Sequence, residues 1–198
     1  GSDIPEHGVM RFNELAAARA AHAAGISPEV VFAVEGMLVS RYIKSHTLTP
    51  EDVRDPRNLA SIIDLIRRCH YDVPLHFRGP ALAFWVFHII RNYLSLLDGE
   101  AGNSLSPELS RLRSMAGKLE AEVGPITLVM GHNDLLAANF LDDGKRLWLV
   151  DWDYAGFNSP LFDLANLSSN NGFDASMDES LLRDYFGKRP DAACQRAF

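Results

Sequence analysis

An α+β fold is predicted for this chain of 198 residues, and three observations predict it. A stretch rich in β-branched residues, "EVVFAVEGMLVSRYI" (29–43), follows an alanine-rich helical segment near the front. The middle of the chain, 57–123, places apolar residues at helical spacing. At Ile126 the texture changes: short apolar runs bounded by turn residues enclose a segment crowded with polar oxygens, and helical patterning then returns.

Each element has its own local reason. Gly1-Ser2 reads as an expression remnant and carries no argument. Across 11–24, "RFNELAAARAAHAA", alanine supplies helix propensity, and Gly25 with Pro28 ends the helix. In 29–43 two short strands are expected around a turn at Glu35-Gly36. "SHTLTPEDVRDPRN", 45–58, reads as a polar connector with two prolines. In 57–70, Leu59, Ile62, Ile63, Ile66 and Cys69 recur with helical period, and 80–97 repeats the pattern with Phe84, Trp85, His88 and Ile89. Residues 106–123 open on Ser106, Pro107 and Glu108, which are a cap, a first-turn proline and an acid suited to a helix start. Leu109, Leu112, Ala116, Leu119 and Val123 form the stripe of that helix, and Gly124-Pro125 stops it. "ITLVMGH" reads as a strand, "RLWLVDW" (146–152) as another, and "DDGK" (142–145) as the turn of a hairpin. A helix is expected after Pro160 over 160–170. Another spans 176–186, with Ser176 as cap and Glu179 three residues on. There is no internal repeat and no low-complexity tract.

Composition narrows the class. At 47% hydrophobic and 23% charged residues the chain is globular. A net charge of −7 argues against general nucleic-acid binding, which wants a basic face, and suits a cationic or neutral small molecule. Cys69 and Cys194 form no CxxC pair and read as two reduced thiols of a cytosolic protein. The most apolar run, "ALAFWVFHII" (81–90), is too short to span a bilayer and contains His88. No secretory signal opens the sequence, and cytoplasm is the expected location.

The segment "GHNDLLAANFLDDGKRLWLVDWDYAG", 131–156, carries His132, Asn133, Asp134, Asn139, Asp151 and Asp153 among apolar residues. A core strand has no use for so many acceptors. Asp134 and Asn139 lie five residues apart on a loop, and a hairpin after Asn139 folds Asp151 back beside it. Asp and Asn oxygens make a hard-cation site, and Mg²⁺ takes few protein oxygens together with phosphate and water. Asp134 is then free to accept a proton from a substrate hydroxyl. One base with metal ligands that neutralise phosphate charge is the division of labour of phosphoryl transfer. The order His132-Asn133-Asp134-Leu135 with Asn139 has the spacing of the protein-kinase catalytic loop.

"HNDLLAANF", "LVDWDYAGFNSPLFDLAN", "GMLVSRYI", "NLASIIDLIRRCH" and "FWVFHIIRNY" together resemble the choline/ethanolamine kinase branch of the aminoglycoside-phosphotransferase family. The resemblance runs from about Phe12 to about Phe186 and is sharpest over 131–166. It implies a protein-kinase-like fold and ATP as the phosphate donor. By it, Asp134 is the catalytic base, and Asn139 and Asp151 hold Mg²⁺. His132 anchors the loop, and Asp163 of "FDLAN" braces it from the next helix. Glu14 matches the helix acid that pairs with a phosphate-binding Lys or Arg, or else is a solvated helix acid. "GMLVSRYI" matches the linker between lobes, where backbone groups of Leu38, Ser40 and Tyr42 meet adenine. Asp153 is either a secondary metal or substrate ligand or a solvated acid.

The sequence departs from the family in two places. Several strands, a phosphate-covering loop and the basic partner of Glu14 normally come first, and "GSDIPEHGVMRFN" is too short to form them. Residues 3–43 are therefore expected to be the remnant of a nucleotide lobe and its linker, and 44–198 the helical catalytic lobe. Choline kinases also place an acid and a Trp just after the "FDLAN"-like motif, where this chain has Asn170 and Asn171. Trp152, Tyr154, Phe157 and Phe173 are candidates to line an acceptor pocket with Asp153 and Asn170, with core packing as the alternative for the aromatics. A quaternary ammonium wants such aromatic faces. The predicted reaction is transfer of the ATP γ-phosphate to a hydroxyl of a small amino alcohol such as choline or ethanolamine. An aminoglycoside- or sugar-type phosphotransferase and a non-catalytic kinase-like binding module are the rivals. No nucleic-acid polymer and no membrane insertion are expected.

Overall fold

In the computed structural model, residues 2–101 and 106–198 are described. Helix α1 (Arg11–Ala23) is followed by Gly25, whose φ of 74° turns the chain out of the helix. Strands β1 (Val30–Val34) and β2 (Met37–Ser40) form the expected hairpin, with Gly36 at φ 78° in its turn.

The connector after it is more structured than its composition suggests. It holds strand β3 (His46–Thr47) and helix α2 (Pro50–Arg54). Thr49 accepts from the Asp52 N–H and Asp52 reaches back to Thr49, so a capping box starts a helix of only five residues. Helix α3 (Pro56–Tyr71) then buries Ile62, Ile63, Leu65, Ile66 and Cys69 along one side. Helix α4 (Val73–His76) follows at once.

Helix α5 (Val86–Ala101) begins six residues later than the periodicity of 80–97 suggests. The reason is backbone pairing: Phe84 N–H donates to Phe157 O and Phe157 N–H to Leu82 O, which draws 82–84 into an extended ladder. Its buried residues are consequently Phe87 and Leu94 rather than Phe84 and Trp85. Helix α6 (Ser106–Val123) buries Leu109 and Ala116, while Leu119 is exposed. The capping role expected of the Ser106 side chain lies outside the described residues.

The last third carries strands β4 (Val129–Gly131), β5 (Phe140–Asp142), β6 (Leu147–Leu149) and β7 (Gly156–Asn158). It ends in helices α7 (Pro160–Asn171), α8 (Ala175–Phe186) and α9 (Ala192–Ala197). Among the described residues all strand pairs are antiparallel, in three small sheets: β1-β2, β3-β5-β6 and β4-β7. The α8 cap is Asp174, not Ser176: its carboxylate accepts from the N–H groups of Ser176 and Met177, and an anion suits a helix start better than a hydroxyl.

Helix α3 is the hub. It packs against α2, α4, α8, β4 and β6, and its Ile62 and Ile66 meet Met130, Phe140, Leu149, Leu164 and Leu181 in one buried core. That core lies directly beneath the polar segment, so the loops on either side of β4 and β6 stand on a rigid floor. Both cysteines are free, and the Cys69 thiol is buried, donating to Met130 O. No helix among the described residues is long and apolar enough to cross a membrane.

One glycine fixes how closely β7 approaches the 82–84 segment. A Cβ on Gly156 would stand 2.9 Å from Leu82 O and 3.3 Å from Phe84 N, both backbone atoms. Gly156→Ala must push the two strands apart and is expected to cost about 1–3 kcal/mol, the usual range for forced overpacking. Urea unfolding of the variant checks this, and an unchanged midpoint would mean the ladder yields freely.

Candidate active site

The loop after β4 is held almost entirely by one face of α7. Asp163 accepts from the backbone N–H groups of His132 (2.8 Å) and Asn133 (2.7 Å), and Asn166 Oδ1 accepts from Leu135 N–H. Asn171 Nδ2 donates to Leu135 O at 3.1 Å. Asn133 needs this support because its φ is 65°, in the left-handed region that a non-glycine residue seldom enters. Its side chain bridges onward, donating to Tyr154 O and Gly156 O and accepting from Asn158 Nδ2.

Asp163 is itself 1% exposed, and His70 Nε2 of α3 donates to it at 3.0 Å. Burial alone would raise this carboxyl. The His70 hydrogen bond and charge, with the bonds from the loop, outweigh burial and hold it below the usual carboxylate range. The other His70 nitrogen, Nδ1, meets the Tyr185 hydroxyl at 2.6 Å.

His132 is fully buried and its Nε2 donates to Val150 O at 3.0 Å, tying the loop to the strand end that precedes Asp151. Burial pushes its imidazole below the ordinary histidine range, so the ring is neutral. Its Nδ1 has no hydrogen-bond partner among the described residues, and the ring packs edge-on against Trp152 with centroids 4.8 Å apart.

The three residues expected to carry the chemistry converge at the end of the β5-β6 hairpin. Phe140 pairs with Leu149, and Val150 N–H donates to Asn139 O at 3.0 Å, which sets Asp151 beside Asn139. Asn139 Nδ2 donates to Asp134 O at 2.8 Å and approaches Asp134 Oδ2 at 3.3 Å. Because its amide nitrogen faces Asp134, the Asn139 Oδ1 is left without a donor among the described residues. Asp151 is exposed and has φ 70°. Asp134 is half-buried, and burial with the neighbouring charges of Asp151 and Asp153 pushes its carboxyl up.

This donor set fits Mg²⁺: one amide oxygen and one exposed carboxylate, to which phosphate and water would add, the sparse hard-oxygen coordination that ion takes from proteins. No group of three or more His, Cys, Asp or Glu capable of holding a metal occurs among the described residues, as a two-ligand Mg²⁺ site requires none.

The other candidates fall in different places. Glu14 and Asp153 share one partner: Arg11 Nη1 donates to Glu14 Oε2 and to Asp153 Oδ1, each at 2.7 Å. Glu14 and Leu38 line a cavity of about 320 Å³ with Arg11, Ala33, Gly36 and Met37. Ser40 is exposed at the end of β2, and Tyr42 is 85% exposed beyond it. Tyr154 is half-buried, its ring 6.0 Å from that of Phe84, which also contacts Phe162 at 5.6 Å.

Two candidates for acceptor contact are elsewhere. Trp152 is 3% exposed and its indole N–H donates to Ser27 Oγ, so it belongs to the core. Asn170 is exposed on the last turn of α7 without a hydrogen-bond partner among the described residues. Its neighbour Asn171, one helical step round, is the one that turns inward. Arg11, Asn13, His70 and Asn166 hold the site without having been singled out from sequence, and Asn133 was named there only among the polar residues of its segment. Asn133, in its His-Asn-Asp setting, carried a signal there, since asparagine tolerates the left-handed conformation, and Asn166 a partial one, three residues from Asp163 on the same helix.

Comparison with known proteins gives the chain a family. A model of the choline/ethanolamine kinase family matches residues 5–182. Protein LicA of Haemophilus influenzae is 30% identical over 169 residues, covering 83% of this chain and 49% of the relative. A probable ethanolamine kinase of Arabidopsis thaliana is 29% identical over 177 residues, covering 81% and 45%. The crystal structure of a choline/ethanolamine kinase family protein from Mesorhizobium loti superposes with a TM-score of 0.78 at 36% identity, covering 95% of this chain and 64% of that one. The chain thus spans about half the length of the curated relatives it matches, with a kinase-like α+β fold. It belongs to the choline/ethanolamine kinase family.

Proposed function

We propose that this chain carries the catalytic segment of an ATP-dependent kinase that phosphorylates a hydroxyl of a small amino alcohol, choline or ethanolamine being the leading acceptors. The convergence of Asp134, Asn139 and Asp151 at one hairpin end carries the reading. Asp134 orients the acceptor hydroxyl and takes its proton. Its raised carboxyl is a better base than a solvated aspartate. Asn139 Oδ1 and Asp151 hold Mg²⁺, which when bound neutralises phosphate charge. The loop's fixed backbone, pinned by Asp163 and Asn166, keeps Asp134 in line for transfer and so lowers the entropic share of the barrier. The cavity lined by Glu14 and Leu38 takes the nucleotide. Tyr154 and Phe84 offer aromatic faces to a cationic head group, as the Asp134, Asp151 and Asp153 carboxylates offer negative charge.

Calorimetric titration with ATP, with and without Mg²⁺, tests the metal half of this reading. Binding is expected to require Mg²⁺ and to be lost in Asp151→Asn. Equal binding by the variant would remove Asp151 from the site. A panel of choline, ethanolamine and aminoglycosides then reads the acceptor.

A further inference from the structure

The sequence motif "RFNE" opens α1, and the family resemblance assigns a part to its glutamate alone. The structure joins two of its other residues to the segment that carries Asp151. Arg11 Nη1 reaches Asp153 Oδ1 at 2.7 Å while also holding Glu14, across 142 residues of chain. Two residues on, Asn13 is 1% exposed, and its Nδ2 donates to Ala155 O at 2.7 Å. The same amide accepts from Leu82 N–H at 3.3 Å.

These contacts continue a ladder by other means. Leu82 O takes the Phe157 N–H, and Phe84 N–H gives to Phe157 O. Just beyond, where Leu82 N–H and Ala155 O run out of backbone partners, the Asn13 amide supplies one acceptor and one donor. A primary amide offers both from one planar group. The first turn of α1 therefore fastens the stretch 151–155 at its middle, through Arg11, and at its end, through Asn13.

That stretch needs fastening. Asp151 sits at φ 70°, a conformation a non-glycine residue keeps only where its surroundings over-determine it. On its amino side Val150 is bound to Asn139 O and to His132. On its carboxyl side the charge of Asp153 would otherwise stand unpaired beside Asp151. Arg11 neutralises it and draws it towards α1.

We propose that Arg11 and Asn13 are positioning residues that set where the Asp151 carboxylate stands, coupling the first helix to the metal side of the site. The proposal rests on Asp151 being a Mg²⁺ ligand. Arg11 acts on it through Asp153, and Asn13 through Ala155.

The test uses the full chain with Arg11→Gln, Arg11→Lys and Asn13→Asp, the last keeping the acceptor for Leu82 while losing the donor for Ala155. Amide hydrogen exchange reads the clamp without metal: exchange over 151–157 should quicken in Arg11→Gln and Asn13→Asp, with β5-β6 unchanged. Mn²⁺ in the presence of ADP, followed by loss of the free-ion EPR signal, reads the consequence. Arg11→Gln should weaken Mn²⁺ binding about tenfold, the scale on which groups behind a ligand act, and Arg11→Lys should recover most of it. Unchanged exchange over 151–157 and an unchanged Mn²⁺ midpoint in Arg11→Gln would overturn the clamp. An unaltered chain that leaves the Mn²⁺ signal untouched would instead overturn the metal assignment. The exchange arm, which needs only folded protein, tells these two failures apart, and Arg11→Gln covers the case in which the buried Asn13 variant does not fold.

Discussion

Asp134→Ala is expected to lower phosphoryl transfer about 10²–10⁴-fold, the range a positioned general base contributes, while Mg²⁺-ATP binding stays near that of the unaltered protein. The asymmetry follows from the geometry. Asp134 is turned towards Asn139 through the amide nitrogen, not through the oxygen proposed for the metal. Removing its carboxylate thus spares the Asn139 and Asp151 pair. The same substitution should leave stability unchanged or slightly raised. A half-buried carboxylate pushed up by burial and by two neighbouring acids is held at a cost, and truncating it relieves that cost. Transfer and nucleotide binding lost together would count against the base role. Transfer retained would mean that a group other than Asp134 takes the proton.

The spacing of His132, Asp134, Asn139 and Asp151 made the site legible because its geometry is local. A four-residue polar turn joins β5 to β6, the register follows, and Asp151 must return beside Asn139. Asp163 and Asn166 were half legible: they are three apart on α7 and so share a face, but which loop that face meets is not a property of the helix. Arg11 and Asn13 were illegible as site residues, since the partners that tie them to 82 and to 153–155 lie more than 65 positions away and leave no period to count. Trp152 shows a different limit. Strand alternation counted from β6 assigns it a face, but the left-handed backbone at Asp151 breaks the alternation and sends the indole inward to Ser27. For Asn170, one helical step of about 100° separates an exposed residue from the buried Asn171. The late start of α5 reflects tertiary pairing of 82–84 with β7, which overrides a helical pattern that is locally sound.

Asp163→Asn should be the most damaging single change to the fold, costing about 3–5 kcal/mol, as removal of one partner from a buried pair does. Three donors converge on this carboxylate: the N–H groups of His132 and Asn133 and the His70 imidazole. An asparagine amide can accept through its oxygen alone, and its NH₂ would face a donor, leaving buried N–H groups unmatched. Acid titration separates this loss from a packing defect. The depressed carboxyl contributes stability that is present above about pH 3.9, its unfolded value, and is lost as pH falls through its lower folded one. The variant should lack that final step. It should keep an earlier one that begins near pH 6.5, because His132 is buried neutral and its depressed imidazole resists protonation as pH falls. Denaturant melts at pH 7, 5 and 3 would resolve both steps. If the variant keeps the low-pH step, the acid sensitivity belongs to another carboxylate and the brace is weaker than its three hydrogen bonds imply. If it loses only that step and about 3–5 kcal/mol at neutral pH, then one α7 acid fixes the loop on which Asp134 stands.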